Sequence, residues 1–106
     1  MALDKFEKQP YEVFWISASF ANDYGASEAI VIGSSTVTVT NTDGVDATAD
    51  VIVAGTASAN GTQGMKVQVT GGSEDNSPYK ITFRSVTDST PANKWEKDIK
   101  MTVKEL

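Results

Sequence analysis

The chain has 106 residues, of which fourteen are acidic and nine basic, and it contains neither cysteine nor histidine. Without thiols or imidazoles it can hold no disulfide, thiolate nucleophile, Cys/His zinc centre or His-based triad. The net charge of −5 repels phosphate backbones, so nucleic acid is not an expected partner.

One domain is expected, because domains of about 100–150 residues are the commonest size. The opening "MALDKFEKQP" carries charges where a signal peptide needs an apolar run. No later stretch approaches the roughly 18 apolar residues of a membrane span. The reading is a protein made in the cytoplasm with no membrane insertion.

Residues 1–10 show little pattern and are expected to form a mobile arm, leaving 11–106 as the domain. From there, alternation of period two recurs and helical periodicity does not. In "YEVFWISASF", Phe14, Ile16, Ala18 and Phe20 share one face while Val13 and Trp15 share the other. "SEAIVIG" is a second apolar strand candidate. "STVTVTNT" puts Val37 and Val39 inward and Thr36, Thr38 and Thr40 outward, where threonine suits a solvated pleat.

A turn at Gly44 leads to "ATADVIVAG", read as a strand with Ala49, Val51 and Val53 on one side. The Asn60-Gly61 hairpin signal precedes "MKVQVTGG", with Met65, Val67 and Val69 inward. "PYKITFRSV" aligns Tyr79, Ile81 and Phe83 against Lys80, Thr82 and Arg84. "WEKDIKMTVKEL" aligns Trp95, Ile99, Met101 and Val103 against Asp98, Lys100, Thr102 and Lys104. About seven short strands in about 100 residues fit an all-β, immunoglobulin-like sandwich, with a small open barrel as the rival architecture. Short connections predict antiparallel pairing, since a parallel pair needs a long crossover.

Chemical motifs are sparse. A calcium loop aligned on Gly44 would use Asn41, Asp43 and Asp50 but put Val39 at the first ligand position, which must supply oxygen. The acidic turn is therefore read as solvated, and no metal or other cofactor is expected. Neither a Ser–Lys helix motif nor a phosphate-binding glycine pattern occurs, so no catalytic residues are assigned and an enzyme is not expected. The lysines of "NKWEKDIKMTVKE" are interrupted by Glu96, Asp98 and Glu105 and read as a solvated strand face. Tyr79 and Trp95 are expected in the core. Tyr24, in "ANDYGAS", is the aromatic expected at the surface; with Glu74 and Asp75 of "SEDNS" it is a candidate contact residue.

The order of pieces "EVFWISASFANDYGASEAIV", "VTVTNTDGVDATADVIV", "GMKVQVTGGSEDNSPYKITFRSVTDS" and "KWEKDIKMTVKEL" resembles small proteins encoded among the head and tail genes of tailed bacteriophages and prophages. The resemblance runs from about Glu12 onward. It rests on Glu28 after the first strand, a turn with Gly44 and Asp46, Gly71-Gly72 ahead of a Tyr79 strand, and Glu96 opening the last strand. It implies an immunoglobulin-like virion or assembly protein acting through protein–protein contacts at the head–tail connection, in the tail or as a capsid decoration. Its partners would be other phage structural proteins or further copies of itself, and it would be made in the host cytoplasm. The loop "SEDNSP" is longer than a bare turn, which leaves contacts through it unassigned. The alternative expectation is a carbohydrate- or cell-surface-binding sandwich, with an exposed aromatic stacking on sugar.

Overall fold

The computed structural model describes residues 4–25 and 27–105. Seven strands are present among them: β1 (Asp4–Lys8), β2 (Phe14–Ser19), β3 (Thr36–Thr40), β4 (Ser58–Ala59), β5 (Gly64–Val69), β6 (Tyr79–Val86) and β7 (Lys94–Val103). They form one sheet in the order β1-β7-β6-β3 and a second in the order β2-β5-β4. Lettered A to G along the chain, the second sheet reads B-E-D and the first places C, F and G side by side. This is an immunoglobulin-like sandwich in which A, here β1, has left the edge of B for the edge of G.

Most of the inward positions read from alternation are filled as the pattern requires, with Val37 half-buried. Met65, Val67 and Val69 of β5 meet Tyr79, Ile81 and Phe83 of β6, Ile99, Met101 and Val103 of β7, Val39 of β3, and Ala18 of β2, with Phe20 just beyond it. All of them are buried, and each large side chain among them contributes about 1.5–3 kcal/mol by leaving water. Opposite them, Lys80, Arg84, Lys100 and Lys104 are exposed. Thr82 is buried although it faces outward; its hydroxyl donates to Asp98 across β6–β7 at 2.8 Å.

Several expectations change. Asp4–Lys8, expected within a mobile arm, form β1 instead, paired in parallel with Ile99–Val103 of β7; residues 1–3 of that arm lie outside the described residues. The short-connection argument for antiparallel pairing does not reach these two strands, because nearly the whole domain lies between them. Phe6 supplies the apolar anchor, its ring 5.7 Å from that of Phe14 on the opposite sheet.

The apolar "SEAIVIG" is a crossing segment and not a strand. The Ile30 N–H donates to Thr62 O and the Val31 N–H to Val86 O, both at 2.8 Å, so its backbone is divided between the two sheets before a 3-10 turn at Ile32–Ser34. In "ATADVIVAG" the first half is a helical turn, α1 (Thr48–Val51). Asp46 accepts from the Thr48 N–H at 3.0 Å and from its hydroxyl at 2.7 Å, which turns the chain there. Val51 is buried while Ala49 is exposed.

Trp95, expected in the core, is 38% exposed. The inward face of β7 changes at Lys97, which shares parity with Trp95 and Ile99 and is only half-buried. Its ammonium donates to Ser19 O on the other sheet, lies 3.8 Å from Asp23 and sits 5.5 Å over the Phe20 ring. Trp95, two residues further out, therefore stands at the rim.

The opposite end is closed by Lys8 and the Gly-Gly turn. The buried Lys8 ammonium donates to Gln9 O at 2.8 Å, Pro10 O at 3.3 Å and Gly71 O at 2.7 Å. Its burial lowers its pKa, and Glu12 partly opposes the shift. Gly71 has φ +52°, and a Cβ there would come within 2.5 Å of Asp50 O, so both conformation and space require glycine.

Candidate protein-interaction surface

The exposed large apolar side chains concentrate on β2 and its lead-in. Tyr11 is 95% exposed, Val13 49% and Trp15 52%. The cause is the period of the strand: Phe14, Ile16 and Ala18 turn toward the core, so Val13, Trp15 and Ser17 must turn outward. The Lys66 ammonium, on the neighbouring β5, lies 5.4 Å over the Trp15 ring. A shallow, open hollow of about 500 Å³ lined by Tyr11, Glu12, Val13 and Phe14 continues the surface.

The same strand is an edge. β2 pairs with β5 on one side, and among the described residues nothing pairs with the other. The direction of its peptide groups follows from two bonds. The Phe20 N–H donates to Gln63 O, so even-numbered residues address β5, whereas Ser19 O accepts from Lys97, so odd-numbered residues address the open side. The peptide groups of Trp15 and Ser17 therefore point outward, and among the described residues they have no hydrogen-bond partner.

The other edges are handled differently. The β3 edge is covered at Val39, whose N–H donates to Thr48 Oγ at 2.9 Å and whose carbonyl accepts from the Ala47 N–H at 2.8 Å. Hydrogen bonds from the Thr48 hydroxyl and then its N–H hold the Asp46 carboxyl below its ordinary value. β1 carries the exposed charges Lys5 and Glu7, and β4 has two residues. Charge, shortness and covering segments are the usual protections of an edge; β2, with the sequence FWISAS, has no charge and six residues of length.

The residues expected to make contacts are divided by the fold. Tyr24 is 7% exposed and stacks on Phe20 with ring centroids 5.9 Å apart, so it belongs to the core and not to a contact surface. Its loop reads as polar, but Phe20, one turn back, draws the ring inward through the Tyr24 N–H to Phe20 O bond of 2.9 Å. Burial raises its pKa. Its hydroxyl and the buried Ser85 hydroxyl both lack a well-formed partner.

Glu74 and Asp75 are exposed as expected, and Glu74 accepts from the Glu105 N–H. They lie at the opposite end from Tyr24, because Val69, which leads into their loop, pairs with Phe14, while Ser19, which leads to Tyr24, pairs with Gly64. No single site contains all three. The signal that singles out the β2 surface was present in the sequence as the outward pair Val13 and Trp15; that the strand is an open edge was not.

Glu28 has a structural role. Its carboxylate accepts from the Gly25 N–H at 2.7 Å, Asn93 Nδ2 at 2.9 Å and Ser89 Oγ at 3.1 Å, joining the loop after β2 to the β6–β7 loop. The Gly25 N–H, followed by the Asn93 amide and the neighbouring hydroxyls, holds its pKa down from 4.5 to about 2. A second groove of about 270 Å³ runs past Ser34, Thr36 and Trp95 beside the Arg84–Glu96 ion pair, whose closest atoms are 2.7 Å apart. Among the described residues no cluster of three potential metal ligands occurs, and no helix is long and apolar enough to cross a membrane. No protein-family model matches the chain, and no curated protein matches it.

Proposed function

We propose that the protein is a non-enzymatic structural or assembly module of a phage or prophage virion, acting through protein–protein contacts made by the β2 edge. The virion setting rests on the sequence resemblance. The contact mechanism rests on one observation: an uncharged edge strand whose outward peptide groups at Trp15 and Ser17 lack partners among the described residues and whose outward face carries Val13 and Trp15. Strand addition to such an edge supplies main-chain hydrogen bonds, and the flanking aromatics supply apolar area.

Mass spectrometry of gradient-purified particles induced from the source organism tests the setting. Peptides of this chain at a stoichiometric level are the expected result, and their absence from intact particles removes the assignment to the virion.

A second reading, a carbohydrate- or cell-surface-binding module, is favoured by the Trp95 groove, where a half-exposed indole borders paired charges. Glycan-array binding abolished by Trp95→Ala would support it. Tyr24, being buried, is not the residue to test.

A further inference from the structure

We infer that the occupant of the β2 edge is β2 of a second copy, paired antiparallel about a two-fold axis beside Trp15 and joining the two three-stranded sheets into one of six strands. The inference rests on the reading of β2 as a protein-contact surface and names its partner.

The available peptide groups are themselves symmetric. Ser19 O is occupied by Lys97, so the outward peptide groups open to pairing are those of Trp15 and Ser17 and, by the same parity, Val13 just ahead of the strand. That set is centred on Trp15. An antiparallel copy therefore matches Trp15 to its own counterpart and Val13 to Ser17 in both directions, with each donor facing an acceptor.

Charge permits the same pairing. Two chains of net charge −5 repel at long range, but the strand FWISAS contributes no charge to the contact. β2 itself thus places no like charges opposite each other; the nearest charge is the Lys66 ammonium over the Trp15 ring, carried by the neighbouring β5.

Area sets its strength. Aromatic side chains bury about 150–250 Å² each when covered. With Tyr11 and Trp15 exposed to 95% and 52%, four rings from two copies supply several hundred Å². Val13, Ser17 and the backbone edge bring the total toward the roughly 1,000 Å² at which specific interfaces begin. The expected dimer is consequently weak and dependent on concentration.

The tests are sedimentation velocity over a range of concentrations, with amide hydrogen exchange at both ends of that range. The wild type is expected to pass from monomer to dimer as concentration rises, with the Trp15 and Ser17 amides exchanging slowly only at the high end. Ser17→Pro removes an outward N–H that pairs with nothing inside the described fold, so it is expected to stay folded and monomeric. Because the chain has no cysteine, Val13→Cys with Ser17→Cys gives a clean second readout: oxidation is expected to produce a cross-linked dimer, and Thr36→Cys with Thr38→Cys is expected to produce none.

A wild type that remains monomeric throughout, with no cross-link above that control, overturns the inference. If a copurifying protein nevertheless slows exchange at Trp15 and Ser17, the edge remains a contact surface with a different occupant. If nothing slows it, the underlying reading falls as well.

Discussion

β2 and β3 are each the edge of a sheet, each is uncharged, and each alternates along its length, yet the fold treats them differently. At β3 the chain returns after the Gly44 turn and lays Asp46–Thr48 along the strand, so that both polar groups of the Val39 backbone are paired. At β2 the segment that would follow the same course in an immunoglobulin constant-type domain is β1, and it pairs with β7 instead. Similar strands therefore end as one edge sealed at Val39 and, among the described residues, one edge open at Trp15 and Ser17. An edge becomes a contact surface through where its neighbour in sequence goes, more than through its own composition.

Proline substitution should separate the two edges most widely. Val39→Pro removes a paired donor at a fully buried position and is expected to cost at least about 3 kcal/mol in denaturant unfolding. Ser17→Pro should stay within about 1 kcal/mol of the wild type, because its N–H faces the open side. Equal losses at the two sites would show that β2 is paired along its outer edge.

Thr48→Ala takes away the cover of β3 without touching the core. It removes the Oγ that accepts from Val39 at 2.9 Å and donates to Asp46 at 2.7 Å, and a loss of about 1–2 kcal/mol is expected. Hydrogen exchange should rise at the Val39 amide and leave the amides of β5 unchanged.

Glu28 sharpens the comparison at the far end of β2, where it holds the exit loop. Its folded pKa of about 2 lies below the ordinary 4.5, so its contribution is full above the ordinary value and is lost as pH falls through about 2. Glu28→Gln should lower Tm at neutral pH and flatten the acid limb of the Tm–pH curve between those two values. An unchanged limb would mean that the carboxylate does not anchor the loop.

The smallest effect on stability is expected at the surface itself. Trp15→Lys should change the unfolding free energy by no more than about 0.5 kcal/mol, as surface substitutions usually do, while abolishing self-association. A larger loss would place the indole among the groups that hold the fold.

Much of the sandwich was readable in advance because alternation has a fixed physical meaning: the inward residues of β5, β6 and the inner half of β7 are those that period two assigns, and they are buried, as is Val39 of β3, while Val37 is half-buried. Alternation is blind where the chain leaves one sheet for the other. "SEAIVIG" is as apolar as a strand but divides its hydrogen bonds between sheets. "ATADVIVAG" has strand-like valines but begins with a helical turn that Asp46 holds through Thr48. Lys97 holds an inward position because a carbonyl, a carboxylate and an aromatic face await it on the other sheet. The candidate surface was half visible: Val13 and Trp15 could be seen to face away from Phe14 and Ile16, whereas Tyr24 was misassigned by the polarity of its neighbours.

By itself the sequence determined the class of fold, the strand faces and the absence of thiol and imidazole chemistry, since these follow from side-chain period and from which atoms the chain contains. The tertiary structure alone decided that β1 joins β7, that Tyr24 is buried and that Val39 is sealed while Trp15 and Ser17 face an open side. Those outcomes depend on pairings between residues distant in sequence, and no local pattern records which of several compatible edges a strand will join.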